Sequence, residues 1–292
     1  MQSDLRCIVC DSPVQNSYHT KKNFTILECE QCGLLRIHPL PTKAELDACY
    51  SEGYFTGGRE CDGYMDYEYE KEVTQKTFEH HLERIEAHRQ SGLLFEIGAA
   101  TGHFLSLAEQ RGWQVSGVDY SPYAAARAQK RGLSVTAGGV EALQEASARY
   151  DVIALFDVIE HLLYPKEELA TIVRAIKPGG LLVFATPDRS SLFARLAGKF
   201  WHAIVPPQHV FLYGAEHVGP LLSKYGCTVL EITHPGKRFT VPYFLRALYT
   251  WLGWNFLYTL AEWTRKTRFG KVAFPLNLGD TMFVIARKSD VC

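Results

Sequence analysis

The stretch Leu94-Phe95-Glu96-Ile97-Gly98-Ala99-Ala100-Thr101-Gly102-His103-Phe104-Leu105, running on to Val115-Ser116-Gly117-Val118-Asp119-Tyr120, decides the fold. An apolar strand from Leu93 to Ile97 enters a turn holding Gly98 and Gly102. A helix, a second apolar strand and an acid at its tip, Asp119, follow. That order makes half of a nucleotide-binding α/β unit, with the acid placed to grip a ribose. Glu96 stands at the mouth of the glycine turn, where its charge would repel a pyrophosphate seated on the following helix N-terminus. It favours instead a ribose-bearing ligand with no phosphate and with cationic groups. Ala100 occupies a place where a third glycine is often found, so a plain tight turn between a core strand and a helix also fits these residues.

S-adenosylmethionine, with its amine and sulfonium, has the required charge pattern. Ordered segments downstream extend the pattern. Glu96-Ile97-Gly98-Ala99-Ala100-Thr101-Gly102 resembles the first motif of class I S-adenosylmethionine-dependent methyltransferases, and Asp119-Tyr120-Ser121-Pro122 resembles their second. Phe156-Asp157-Val158-Ile159-Glu160-His161-Leu162 is similar to the segment after their fourth strand. Ile176-Lys177-Pro178-Gly179-Gly180 and Ala185-Thr186-Pro187-Asp188 complete the series, and 281–288 looks like the last strand. The resemblance implies a Rossmann-like α/β fold with seven strands, the last inserted antiparallel at the sheet edge. Bounds of 93–97, 114–118, 133–136, 151–156 and 180–185 are expected for strands, and 103–111, 122–131, 166–176 and 215–225 for helices.

At 292 residues and 47% hydrophobic content, the chain can hold one full domain and a small accessory one. Net charge is −1, but residues 1–186 carry 18 basic against 26 acidic residues and 187–292 carry 13 against 6. A globally basic nucleic-acid binder is disfavoured. The N-terminus has no basic cap followed by an apolar run, and the longest uncharged stretch of the aromatic C-terminal region, 247–261, has 15 residues. That falls short of the roughly 18 apolar residues a spanning helix needs. A cytoplasmic protein is expected, with the inner face of the membrane as an alternative location. Reduced thiols then suit metal binding better than disulfides.

Cys7-x2-Cys10 and Cys29-x2-Cys32, with 18 residues between the pairs, are spaced to close a tetrahedral shell around one zinc ion. Four thiolates leave no open position, so such a zinc is structural. Two disulfides or unrelated buried thiols are the competing readings, and both predict no stoichiometric metal. Cys49, Cys61, Cys227 and Cys292 read as ordinary small hydrophobes. The expected division is a zinc ribbon with a tyrosine-rich linker over 1–60 and a methyltransferase domain over 61–292. Similar ribbons precede sugar C-methyltransferases and some ribosomal RNA methyltransferases, so the ribbon alone selects no substrate. Between the two lie Tyr50, Tyr54, Phe55, Tyr64, Tyr67 and Tyr69 with glycines at 53, 57, 58 and 63, read as a loop. A helix from about Tyr69 to Arg89 is expected next. The tyrosines suit either a lid over an aromatic or sugar substrate or packing of the ribbon.

For the cofactor, the resemblance implies Glu96, Gly98, Ala99 and Gly102 around the methionine part, Asp119 on the ribose, Tyr120 and Val140 along the adenine, and Asp157 after the fourth strand. Many relatives carry an acid where Gly139 stands. For catalysis, His161 is the leading base, with Glu160 beside it and His209 as a second candidate. The alternative for Glu160 and His161 is a helix-capping role, and for His209 an ordinary loop position. In the ubiquinone-pathway O-methyltransferases the counterpart of this segment binds a divalent ion, so an ion beside Asp157, Glu160 and His161 is one reading.

An aromatic insertion, 234–280, separates the sixth and seventh strands and is far longer than an ordinary loop. It fits a cap over the substrate, a peripheral membrane contact made by 239–263 with 192–205, or a packing surface. The expected function is S-adenosylmethionine-dependent methylation of a small molecule such as a sugar, glycan precursor or lipid. RNA methylation through the ribbon and a non-catalytic cofactor-binding protein are the alternatives.

Overall fold

The computed structural model describes residues 6–56, 67, 68, 70 and 75–290. Three N-terminal strands, β1 (Val14–Lys21), β2 (Phe24–Cys29) and β3 (Leu35–His38), precede helices α1 (Lys43–Cys49), α2 (Glu52–Thr56) and α3 (Lys76–Glu86). The alternating part follows: β4 (Leu93–Ile97), α4 (His103–Gln110), β5 (Gln114–Asp119), α5 (Pro122–Lys130), β6 (Val135–Ala137), β7 (Tyr150–Phe156), α6 (Pro165–Ala175) and β8 (Ile176–Pro187). After α7 (Leu192–Ala197), β9 (Phe211–Leu212), α8 (Ala215–Ser223) and β10 (Cys227–Thr233) comes the insertion: β11 (Lys237–Thr240), α9 (Val241–Leu252), α10 (Asn255–Arg265) and β12 (Ala273–Leu276). Strand β13 (Thr281–Lys288) ends the fold.

Seven strands form one sheet in the order β10-β13-β8-β7-β4-β5-β6. Neighbours from β8 to β6 pair in parallel, whereas β13 runs antiparallel to both β8 and β10. The last strand is therefore not at the edge as expected. It enters between β8 and β10 and pairs with both, and its apolar run Met282 to Ala286 is buried. Side-chain alternation assigns the two cores: Phe95, Ile97, Ile153 and Leu155 face one, and Leu94, Val152 and Ala154 the other. The chain leaves β4 toward β5 on one side and reaches β7 on the other, which opens a crevice at the carboxyl ends of β4 and β7.

The tyrosine-rich segment is largely helical where it is described, with a turn at Tyr50 and Ser51, and not the loop expected. Thr42 and Glu45 form a capping box that starts α1, with Thr42 N–H donating to Glu45 at 2.7 Å. Tyr64, Tyr69, Cys61, Cys292 and the expected boundary at 60 lie outside the described residues, and the helix expected from Tyr69 is described from Lys76.

The N-terminal strands do not stand apart. β3 pairs with β9, so that Leu35 faces Leu212 and Arg36 faces Phe211. The backbone of Ile37 donates to Val210 at 2.9 Å. His217 Nε2 contacts the Cys32 carbonyl at 2.7 Å, Lys224 donates to Asp11 at 2.6 Å, and Arg189 pairs with Glu28. The N-terminal strands are thereby tied to the segment around Val210 to His217.

Candidate active site

The glycine turn is shaped by backbone conformation. Gly98 has φ +75°, and a Cβ there would sit 2.4 Å from Val158 Cγ2, so the turn after β4 and the turn after β7 touch across the crevice. Ala100 adopts φ +47°, the left-handed conformation that the absent glycine would take freely and that costs alanine about 1 kcal/mol. The result is functional geometry: the Ala100 amide donates to Asp119 Oδ2 at 2.7 Å, and the Ser121 amide donates to Oδ1 at 2.8 Å. Asp119 is thus pinned at the tip of β5, and burial pushes its carboxyl up to about 6 despite those two amides.

A cavity of about 350 Å³ lies over this tip, lined by Tyr50, Tyr54, Gly98, Asp119, Tyr120 and Val140 among others. Its charged lining is Asp119, Glu141, Asp157 and Glu168, with no lysine or arginine among the described residues that line it. Such a wall suits a cationic nucleoside and opposes a phosphate. Glu96, also buried, lines a smaller adjoining hollow with Gly98, Phe156 and Asp157. Glu141 bends back so that the Gly139 amide donates to it at 2.7 Å, which puts an acid beside the position where relatives carry one. Two sequence candidates lie elsewhere. Ala99 is a core residue whose Cβ packs on Gly117, and Gly102 is needed because a side chain there would strike Leu133 at 2.3 Å.

A second cavity, about 550 Å³, is enclosed by the segment after β8 and by the insertion. Phe239, Tyr243, Phe244 and Leu248 form one wall, Phe193 and Phe200 another, and Glu160, His161, Gln208 and His209 the polar end. The two cavities share Tyr54, Asp157 and His161. Asp157, at the end of β7, holds φ +54°, an uncommon conformation for a non-glycine residue and one often kept where function needs it.

His161 Nδ1 lies 2.8 Å from the Gln208 carbonyl oxygen and 2.9 Å from the Tyr50 hydroxyl. A carbonyl only accepts, so Nδ1 carries the proton and Nε2 keeps its lone pair. Burial lowers the His161 pKa, against the Gln208 carbonyl and Asp157, so the ring is neutral near pH 7. His209 repeats the arrangement, with Nδ1 2.7 Å from the Ala203 carbonyl. Glu160 is fully buried, accepts from Thr186 Oγ1 at 2.9 Å, and places Oε1 4.0 Å from His161 Nε2. Ligand atoms of Glu160, His161 and His209 all lie within 4.8 Å of one another; Asp157 is not in that group.

The four N-terminal thiols also converge. Their sulfurs lie within 4.8 Å of one another, at 3.4 Å for Cys7–Cys32 and Cys10–Cys29. All four are free cysteines. Tetrahedral Zn–S bonds of about 2.3 Å imply sulfur separations of about 3.8 Å, so the donor set fits the ion. The two knuckles are alike: Asp11 and Gly33 follow them at φ +61° and +76°, and their amides donate to the Cys7 and Cys29 carbonyls.

Sequence reading missed the Gln208 carbonyl and His81, which stacks on Phe283 at 4.5 Å beneath the smaller hollow. Tyr50 and Tyr54, read from the sequence as a lid or as packing, both line the cavity over Asp119.

A family model described as a methyltransferase domain matches residues 67–232, more than half of the chain. The chain belongs to the class I S-adenosylmethionine-dependent methyltransferases. A ubiquinone biosynthesis O-methyltransferase of Methylobacterium nodulans is 34% identical over 155 residues, covering 51% of this chain and 54% of that protein. One from Stutzerimonas stutzeri is 28% identical over 157 residues, covering 51% and 58%. The chain thus matches little more than half the length of these curated methyltransferases. The YcgJ protein of Bacillus subtilis shares the fold at a TM-score of 0.52 and 14% identity, over 74% of this chain and 100% of that one. For this methyltransferase family the cofactor is S-adenosylmethionine.

Proposed function

We propose that the chain transfers the methyl group of S-adenosylmethionine to a hydroxyl of a small, largely apolar acceptor, with His161 taking the hydroxyl proton. The observation that carries this reading is the shared wall: Tyr54, Asp157 and His161 border both the acid-lined cavity over Asp119 and the aromatic cavity under the insertion. A sulfonium is already an activated leaving group, so the protein has to align the acceptor oxygen with the methyl and remove one proton. Bound there, the cofactor supplies the methyl group for an in-line displacement.

On this reading Asp119 accepts from the ribose hydroxyls, Glu96 balances the amine, Gly98 lets the backbone approach, and Tyr120, Val140 and Glu141 border the adenine. His161 Nε2 faces the acceptor side with its lone pair held ready by the Gln208 carbonyl. The names of the curated relatives, O-methyltransferases, support oxygen as the nucleophile. The aromatic walls support an acceptor with an apolar body rather than a bare sugar or an RNA strand.

The close grouping of Glu160, His161 and His209 favours a second reading of the base. A carboxylate and two imidazoles suit a divalent ion, which would lower the pKa of the acceptor hydroxyl. Turnover that is lost with chelator and restored by added metal selects the ion; turnover indifferent to chelator selects His161 alone. The thiols of Cys7, Cys10, Cys29 and Cys32 are assigned to structural zinc. We retain 1–60 as ribbon and linker and 61–292 as the catalytic part, with β9 completing the ribbon sheet.

The test of the whole reading is incubation with methyl-labelled cofactor and extracts of lipids and metabolites, read by mass spectrometry. Label recovered in the methyl ether of an apolar alcohol or phenol agrees with it; label on RNA alone, or on nothing while the cofactor binds, refutes it.

A further inference from the structure

Helix α10 has two apolar faces. Leu257, Ala261 and Thr264 are buried against the rest of the molecule, where α10 packs on α9. Phe256, Leu260 and Trp263 recur at spacings of four and three, so at about 100° per residue they form one stripe of their own. That stripe is open: Phe256 is 60%, Leu260 38% and Trp263 59% exposed, and Trp254 at the N-cap is 55% exposed with its ring stacked on Phe256 at 5.9 Å. A contiguous exposed apolar stripe of this kind marks an interaction surface.

Charge says which surface covers them. Residues 237–271 hold seven basic residues against one acid, Glu262. Arg265 and Lys266 close the helix and are exposed. A second edge is built alike, with Leu192 and Leu196 72% and 79% exposed on α7 and Arg195 and Lys199 beside them. Phe193 and Phe200 of that edge line the acceptor cavity, as does α9 under α10. A second copy of the chain would bring these cationic surfaces together, because a two-fold contact is made by the same patch on both partners. An anionic lipid surface complements both features, and tryptophan suits the interface between headgroup and acyl chain. No helix among the described residues is long and apolar enough to cross a membrane, so the contact lies along the surface.

We infer that the exposed stripe of α10, with its basic end, docks this protein on an anionic bilayer and faces the mouth of the acceptor cavity toward the lipid. The inference stands on exposure, spacing and charge, and does not depend on which acceptor is methylated.

The full chain is sedimented with vesicles of phosphatidylcholine containing phosphatidylglycerol, and with phosphatidylcholine alone. Two variants accompany it: Phe256→Ser with Trp263→Ser, and Arg265→Glu with Lys266→Glu. Titration of each with S-adenosylhomocysteine confirms that the fold survives. Partitioning onto the anionic vesicles is expected to exceed that onto neutral ones, and that of both variants, by at least about tenfold. Wild-type tryptophan emission should shift to the blue when anionic vesicles are added, a readout that needs no variant. Failure to sediment, absence of the shift, or sedimentation untouched by Phe256→Ser with Trp263→Ser overturns the inference. So does a concentration-dependent dimer, abolished by those substitutions, in protein that ignores the vesicles.

Discussion

The cavity over Asp119 and the cavity under the insertion are built in opposite ways. The first is local: β4, the glycine turn, α4 and β5 are consecutive, and Asp119 is fixed by amides only two and nineteen residues away. The second is assembled from distant pieces. His161 is oriented by the carbonyl of Gln208, 47 residues on, and by Tyr50, 111 residues back. The N-terminal strands, through the pairing of β3 with β9, hold the segment that carries Gln208 and His209. A conserved reaction partner can be held by a local motif, whereas a pocket for a variable acceptor draws on loops, insertion and accessory sheet together.

That contrast can be broken by separating turnover from cofactor binding. Replacement of His161 by alanine should have the largest effect, lowering kcat about 10²- to 10⁴-fold, while affinity for S-adenosylhomocysteine changes little. An equal loss in both quantities would make His161 part of the cofactor site only. Cys29→Ser should abolish the one equivalent of bound metal and lower kcat about 10- to 100-fold, as loss of a supporting shell does, again with the product's affinity retained. Metal analysis and calorimetry on the same sample check it; an unchanged kcat would detach the ribbon from the acceptor site.

Asp119→Asn should do the reverse, weakening cofactor binding about 10- to 100-fold, as expected for hydrogen bonds to a charged group, with little effect on kcat at saturation. Its pH dependence has a definite sign. Burial holds the unliganded carboxyl at about 6, and the ionised form accepts from the ribose, so affinity should fall as pH drops below about 6. The unliganded protein moves oppositely at this group: with the folded pKa raised, its contribution to stability is full below the unfolded carboxylate pKa and is lost as pH rises through 6. The smallest effect is expected from Phe244→Ala in the cap. It should raise the acceptor KM about tenfold through lost apolar contact, leaving cofactor affinity alone.

How much of this the sequence showed follows the same division. Strand, glycine turn and terminal acid were legible because each is set by neighbours in the chain, and so were the two Cys-x2-Cys turns whose four thiols converge. Even Ala100, which looks like a defect in the glycine pattern, occupies the left-handed conformation that the pattern requires. The role of Gln208 was invisible, because a main-chain carbonyl has no residue signature. Helix α1, which Tyr50 caps, is signalled by Thr42 and Glu45, whose spacing forms the capping box, but glycines nearby argued for a loop. The last strand was placed at the edge, since pairing on both sides is a property of the sheet and not of its eight residues.

The most direct test of the account is the structure of the protein bound to S-adenosylhomocysteine. The ribose should sit on Asp119, and the sulfur should point through the opening bordered by Tyr54, Asp157 and His161 into the aromatic cavity. A sulfur directed away from His161, or a ligand seated outside the cavity over Asp119, contradicts the account.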